Sequence, residues 1–158
     1  MSPTRARVLS CLSCLTVGGL GLGLLPADAG QPRGDINSPI DLVMIQCMMP
    51  SKVRLGQKFQ LRDEVENGGQ DAAPESITIY YLSTDDVLDE KDQAIKGRRV
   101  PPLVSGQRQS QPTTIAIEFD VPPGDYYLIA VADARGHVPE RIEGNNTKAT
   151  LFTLLPRK

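Results

Sequence analysis

Tryptophan is absent from this chain, histidine occurs once, as His137, and aromatic residues make up only 4% of the sequence. Any core must therefore be mainly aliphatic. Cysteine is almost as scarce, with Cys11 and Cys14 near the start and Cys47 further on. If the leader segment described below is removed, Cys47 stands alone and no intrachain disulfide can form. A single thiol on an apolar stretch is expected to act as a small buried hydrophobe. The shortage of histidine and cysteine leaves no spacing suited to zinc. No serine sits in a strained elbow sequence, and no residue pattern supplies a nucleophile with its base and orienting group. The cluster Gly18-Gly19-Leu20-Gly21-Leu22-Gly23 mimics a nucleotide fingerprint but follows no strand, which removes the phosphate-cradling reading. Excess positive charge is missing as well. The net charge is −2, and losing Arg5, Arg7 and Asp28 with the leader takes it to −3. Such a surface gives no electrostatic reason to bind nucleic acid or anionic lipid.

What the chain does contain points to many short segments. Glycine and proline number 14 and 13 among 158 residues, which suits turns rather than long helices. That length fits one domain with a core and is short for two. Residues 1–29 read as a signal peptide. Arg5 and Arg7 form a positive start, Val8 to Leu25 is apolar and uncharged, and Ala27-Asp28-Ala29 offers a small-residue cleavage site. The competing reading is a retained anchor, but the apolar stretch is near the lower limit for spanning and is rich in glycine. After cleavage no membrane span is expected. Residues 30–40, with prolines and polar residues but no periodicity, read as a flexible lead-in.

From residue 41 to 156 the pattern is that of strands. Asp41 to Met49 is the first, ended by Pro50, and Lys52 to Gly56 reads as a turn. Lys58 to Glu66 alternates, with Phe59, Leu61 and Val65 facing one way. Asp63 breaks that inward row, so either a bulge turns it out or it finds a partner inside. Asn67-Gly68-Gly69 is a strong turn signal. Ser76 to Ser83 is apolar at both parities and reads as a central strand. Ile95 to Val104 carries Pro101 and Pro102, which cannot donate to a ladder and imply an edge. Thr113 to Val121 alternates cleanly, Tyr126 to Asp133 reads as a second central strand, and Asn146 to Leu155 closes the series. About seven strands at short spacing, with no credible long helix, predict an all-β immunoglobulin-like antiparallel β-sandwich.

Several landmarks fall in order along this series. They are Asp41-Leu42-Val43, Gly56-Gln57-Lys58-Phe59, Val65-Glu66-Asn67-Gly68-Gly69 and Tyr80-Tyr81-Leu82-Ser83-Thr84-Asp85. Then come Asp89-x-x-Asp92, Tyr126-Tyr127-Leu128 with Ala132-Asp133, and Glu140-x-x-Glu143-x-Asn145-Asn146. Over residues 41 to 155 this ordered set resembles the CARDB family, the cell-adhesion-related domains of bacteria. The resemblance implies an exported β-sandwich module of the kind found in cell-surface or secreted bacterial proteins. Asp63 and Pro101-Pro102 depart from the family's usual pattern.

Two acidic clusters are the candidate sites. Asp85, Asp86, Asp89 and Asp92 set hard carboxylate oxygens at close spacing, as calcium requires, although the spacing is not that of an EF-hand. The alternative is a solvated turn in which these side chains cap backbone N–H groups. The second cluster includes Asp133, Glu140, Glu143, Asn145 and Asn146. An up-and-down path brings it beside Asn67 and places the Asp85 to Asp92 loop at the opposite rim. Asn67, Glu140, Glu143, Asn145 and Asn146 are therefore the candidate interaction loops, since loops on a rigid sandwich are where binding resides. The expected function is non-enzymatic: an exported adhesion-type module, needing no cofactor beyond candidate calcium, that presents loops to a protein or glycan partner in the envelope. The alternatives are a small hydrolase or ligand-binding accessory domain using the acidic loops, and a structural spacer.

Overall fold

The computed structural model describes residues 34–158. The leader expected over 1–29, with Cys11 and Cys14, lies outside them. Eight strands form among the described residues: β1 (Leu42–Met48), β2 (Lys52–Arg54), β3 (Phe59–Asn67), β4 (Ser76–Ser83), β5 (Gln93–Val100), β6 (Arg108–Ile115), β7 (Gly124–Val131) and β8 (Thr147–Leu155). They make two sheets, one ordered β1-β3-β6 and one ordered β2-β8-β7-β4-β5. The fold is the expected all-β sandwich. β4 and β7 lie inside the larger sheet with a neighbour on each side, which accounts for their apolar residues at both parities.

Side chains from both inner faces fill the space between the sheets. Leu42, Leu61, Val65, Tyr80, Leu128, Phe152 and Leu154 are each at most 2% exposed. Each such side chain contributes roughly 1.5–3 kcal/mol relative to leaving it in water. The bulge at Ile45, where the β1–β3 register shifts between Met44 and Gln46, keeps Leu42 and Met44 inward and lets Cys47 point inward too.

Three expectations change. Lys52–Arg54 is a short strand rather than part of a turn, and it pairs parallel with β8, Lys52 opposite Thr153. The chain thus crosses from one sheet to the other just after β1. Thr150 Oγ1 of β8 donates to the Cys47 carbonyl of β1 at 2.9 Å, tying the two sheets together there. The strand expected over Thr113 to Val121 instead occupies Arg108–Ile115. Ile117 stays buried beyond it, but β3 begins at Phe59, opposite Ile115, so no ladder partner remains. Pro112 is tolerated because β6 is an edge strand. Finally, the lead-in expected over 30–40 is fastened in its described part. Asp35 N donates to the Glu140 carbonyl at 2.7 Å, Arg141 N to the Ile40 carbonyl at 2.8 Å, and Ser38 Oγ to the Pro139 carbonyl at 2.7 Å.

Asp63 finds its partner inside. It is fully buried, and Arg98 from the opposite sheet donates to it through Nε at 2.9 Å and Nη2 at 2.6 Å. Tyr80 Oη donates to Asp63 Oδ1 at 3.1 Å, and Arg98 Nη1 reaches Gln109 Oε1 at 2.9 Å. A buried charge without such partners would cost several kcal/mol. The inward side of β6 is polar at Gln109 for this reason, which hid that strand from a hydrophobic pattern.

Candidate functional site

The Asp85 to Asp92 loop leaves the end of β4 and uses three of its acidic side chains locally, while Asp86 is exposed. Asp85 Oδ1 accepts from Val87 N at 3.0 Å, Asp89 Oδ1 from Lys91 N at 2.8 Å, and Asp92 Oδ2 from Asp89 N at 2.9 Å. Lys91 Nζ lies 3.3 Å from Asp89 Oδ2, and its N–H and charge hold that carboxyl below the usual range. These are the turn contacts that short acidic side chains make wherever a loop leaves N–H groups unpaired. Among the described residues no three His, Cys, Asp or Glu side chains are grouped as a metal cage, this loop included. Leu88 is half-buried and lines a recess with Val131 and Ala132, so the loop reaches across toward the other acidic cluster.

That second cluster is organised by Asp41 and Glu140. Glu140 is fully buried; its Oε2 accepts from Leu42 N at 2.6 Å and its Oε1 from Asn146 Nδ2 at 3.3 Å. Burial pushes its carboxyl up to about 8, against the Leu42 N–H, with Glu143, Asp133 and Asp41 adding repulsion. Asp41 is 4% exposed, and its carboxylate takes Arg141 Nη2 at 2.9 Å and Asn145 Nδ2 at 2.9 Å. The short 3₁₀ turn Glu143–Asn145 delivers Glu143, whose Oε2 accepts from Asn146 Nδ2 at 3.1 Å. Asp133 follows β7 in left-handed backbone, φ 38°, a conformation that aspartate tolerates, and its Oδ2 accepts from Val138 N at 2.7 Å. Burial raises the carboxyls of both Asp133 and Glu143.

Asn67 belongs to the same end but is fully buried. Its Nδ2 donates to the Asp71 and Leu103 carbonyls at 2.8 and 2.9 Å, and its Oδ1 accepts from Gly69 N at 3.0 Å. Gly68 N then donates to the Asp41 carbonyl at 2.7 Å, joining the two turns. Of the five candidate interaction residues, Asn67, Glu140 and Asn146 are interior, while Glu143 and Asn145 are half-buried. What this end offers outward is Ile36, 82% exposed, and Ile142, 48% exposed, on segments tied together through Glu140 and Arg141. The sequence singled out neither isoleucine, and Asp41 only as a landmark opening the first strand, not as a site residue. Only an unpaired apolar residue between polar neighbours could have flagged Ile142, and nothing local marks Asp41 as a ligand for Arg141.

The arrangement defines a class: an all-β sandwich whose one end is a buried polar scaffold carrying exposed loops. The CARDB family profile matches residues 39–150, and the chain belongs to that family. Its fold is similar to the CARDB domain of a Pyrococcus furiosus protein solved in complex with di-metal ions. That likeness has 18% identity and a TM-score of 0.57, covering 73% of this chain and 89% of that one. A domain of a protein described as a cell surface protein from Methanosarcina acetivorans is similar at 20% identity and a TM-score of 0.56, covering 75% and 94%. A β-glucosidase from Listeria innocua is similar at 11% identity and a TM-score of 0.51, covering 75% of this chain but 16% of the enzyme. The chain therefore spans a small part of that enzyme. No curated protein matches it at a significant level. No helix among the described residues is long and apolar enough to cross a membrane.

Proposed function

We propose that this protein is an exported, non-enzymatic interaction module that holds a protein partner at the end built by Asp35–Leu42, Asn67–Asp71 and Asp133–Asn146. The supporting observation is the pair Ile36 and Ile142, exposed at 82% and 48% on either side of a scaffold fixed by buried hydrogen bonds. Exposed aliphatic groups on rigid loops favour a protein surface, because ordering them on binding costs little further entropy. Export rests on the charged, apolar and small-residue order of residues 1–29. The test uses the mature protein immobilised against the native envelope fraction, compared with the double variant Ile36→Asp/Ile142→Asp. A bound protein lost in a variant with unchanged circular dichroism is the expected result. Retention undiminished in the double variant, or no bound protein at all, defeats the reading.

A glycan partner is the second reading, favoured by Tyr81 and Tyr127. They are half-buried on the outer face of adjacent strands, Tyr81 opposite Ile129 and so diagonal to Tyr127. Sugar rings stack on such faces. Loss of glycan-array signal in Tyr81→Ala/Tyr127→Ala, with the isoleucine variant unaffected, would select it.

A further inference from the structure

Beside the polar scaffold lies a recess of about 160 Å³ whose walls include Leu88, Val131 and Ala134, and whose polar lining is Asp133, Glu143 and Asn146. Two oxygens of these residues have no hydrogen-bond partner although both residues are only 4% exposed: Asp133 Oδ1 and Asn146 Oδ1. A buried acceptor left unpaired is destabilising, and an ionised one more so. The same geometry explains why neither is relieved within the chain. Asp133 spends its other oxygen on Val138 N, and Asn146 gives its amide N–H groups to Glu140 and Glu143, turning its carbonyl oxygen away from them. His137 bears on the Asp133 carboxyl through its backbone N–H and its charge, while Arg141 is bound to Asp41.

We infer that this recess is a calcium site, with Asp133, Glu143 and Asn146 as its protein ligands and solvent completing the shell. The donors are oxygens only, with no imidazole or thiolate among the lining residues, which selects a hard cation over zinc or copper. Buried carboxylate and amide oxygens in a recess demand partial dehydration of the ion, which magnesium resists and calcium, with its flexible coordination, accepts. None of the ligands comes from the Asp85 to Asp92 loop, which supplies Leu88 to the wall and keeps Asp85, Asp89 and Asp92 engaged with its own backbone. Calcium here would clamp the turn after β7 to the residue just before β8, where Ala132 N already meets the Asn146 carbonyl at 2.8 Å. The inference stands on the buried oxygens alone and holds whether or not the end face binds a partner.

The full chain, stripped with EDTA, is titrated with calcium chloride, with magnesium and potassium chloride as parallel arms. Binding is read by equilibrium dialysis with radioactive calcium and by thermal unfolding. One ion per chain is expected at roughly 0.1–1 mM, the range of extracellular calcium modules. The unfolding midpoint should rise by about 3 °C or more at saturating calcium and by less than half of that in magnesium. Asp133→Asn and Glu143→Gln should each weaken binding by about tenfold or more, and Asp89→Ala should leave it unchanged. Should Asp133→Asn fail to fold, Glu143→Gln carries the test, since Glu143 is half-buried and accepts one side-chain bond. No bound calcium at about 10 mM, undiminished binding in Glu143→Gln, or loss in Asp89→Ala overturns the site. An equal response to magnesium overturns the choice of ion.

Discussion

At the scale of single residues, the buried groups carry the sharpest consequences. Asp63 and Arg98 satisfy each other across the two sheets, so removing one leaves the other charged and dry. Arg98→Met is expected to cost about 3–5 kcal/mol in urea unfolding, and the double change Asp63→Leu/Arg98→Met to recover much of that loss. If the single and double variants are equally unstable, the pair is not the reason Asp63 is tolerated. Cys47 lies beside Asp63 in the ladder and is 6% exposed. Burial, helped by Asp63 and opposed by Arg98, pushes its thiol up to about 12 from its ordinary value of 9.0. The unfolded chain therefore loses this proton at a lower pH than the folded chain. Stability from this group is full below pH 9.0 and falls as pH climbs toward 12. The buried Tyr80 phenol, also raised by burial, slopes the same way. Cys47→Ala should flatten the decline in urea midpoint over that alkaline range. A slope identical to that of the unaltered chain would contradict the assignment.

At the scale of elements, close backbone approach decides which turns are possible. A Cβ on Gly69 would lie 2.3 Å from the Pro39 carbonyl oxygen and 2.7 Å from Ile40 Cα. Backbone cannot yield as a flexible side chain does, so Gly69→Ala should push residues 39–41 away from the turn. The expected cost is on the order of 2–3 kcal/mol, together with faster hydrogen exchange at Gly68 N, which donates to Asp41. Unchanged exchange at Gly68 would mean that the segment accommodates the methyl. The Asn67-Gly68-Gly69 turn signal was legible in sequence, but this second reason for its glycine was not. The same holds for β6, where a polar run pairs because β3 is there to receive it. The apolar Ile117 to Val121 run, beyond the reach of β3, forms no ladder.

At the scale of the molecule, period-two alternation determined an all-β sandwich, and the two runs that are apolar at both parities placed β4 and β7 inside a sheet. Side-chain direction in a strand is a local property, written into each segment by its own spacing. Membership of the CARDB family was legible too, because its landmarks fall in order along the chain. Only the tertiary structure decided that β2 pairs parallel with β8, that Asp63 meets Arg98, and that Asp41, Asp133, Glu140 and Asn146 converge at one end. It also turned Asn67, Glu140 and Asn146 inward and left Ile36 and Ile142 to face outward. These outcomes depend on contacts between residues far apart in sequence, such as Leu42 and Glu140, whose meeting is fixed by how the sheets close. No local period encodes that closure, so the scaffold could be read from the chain while the contents of its rim could not.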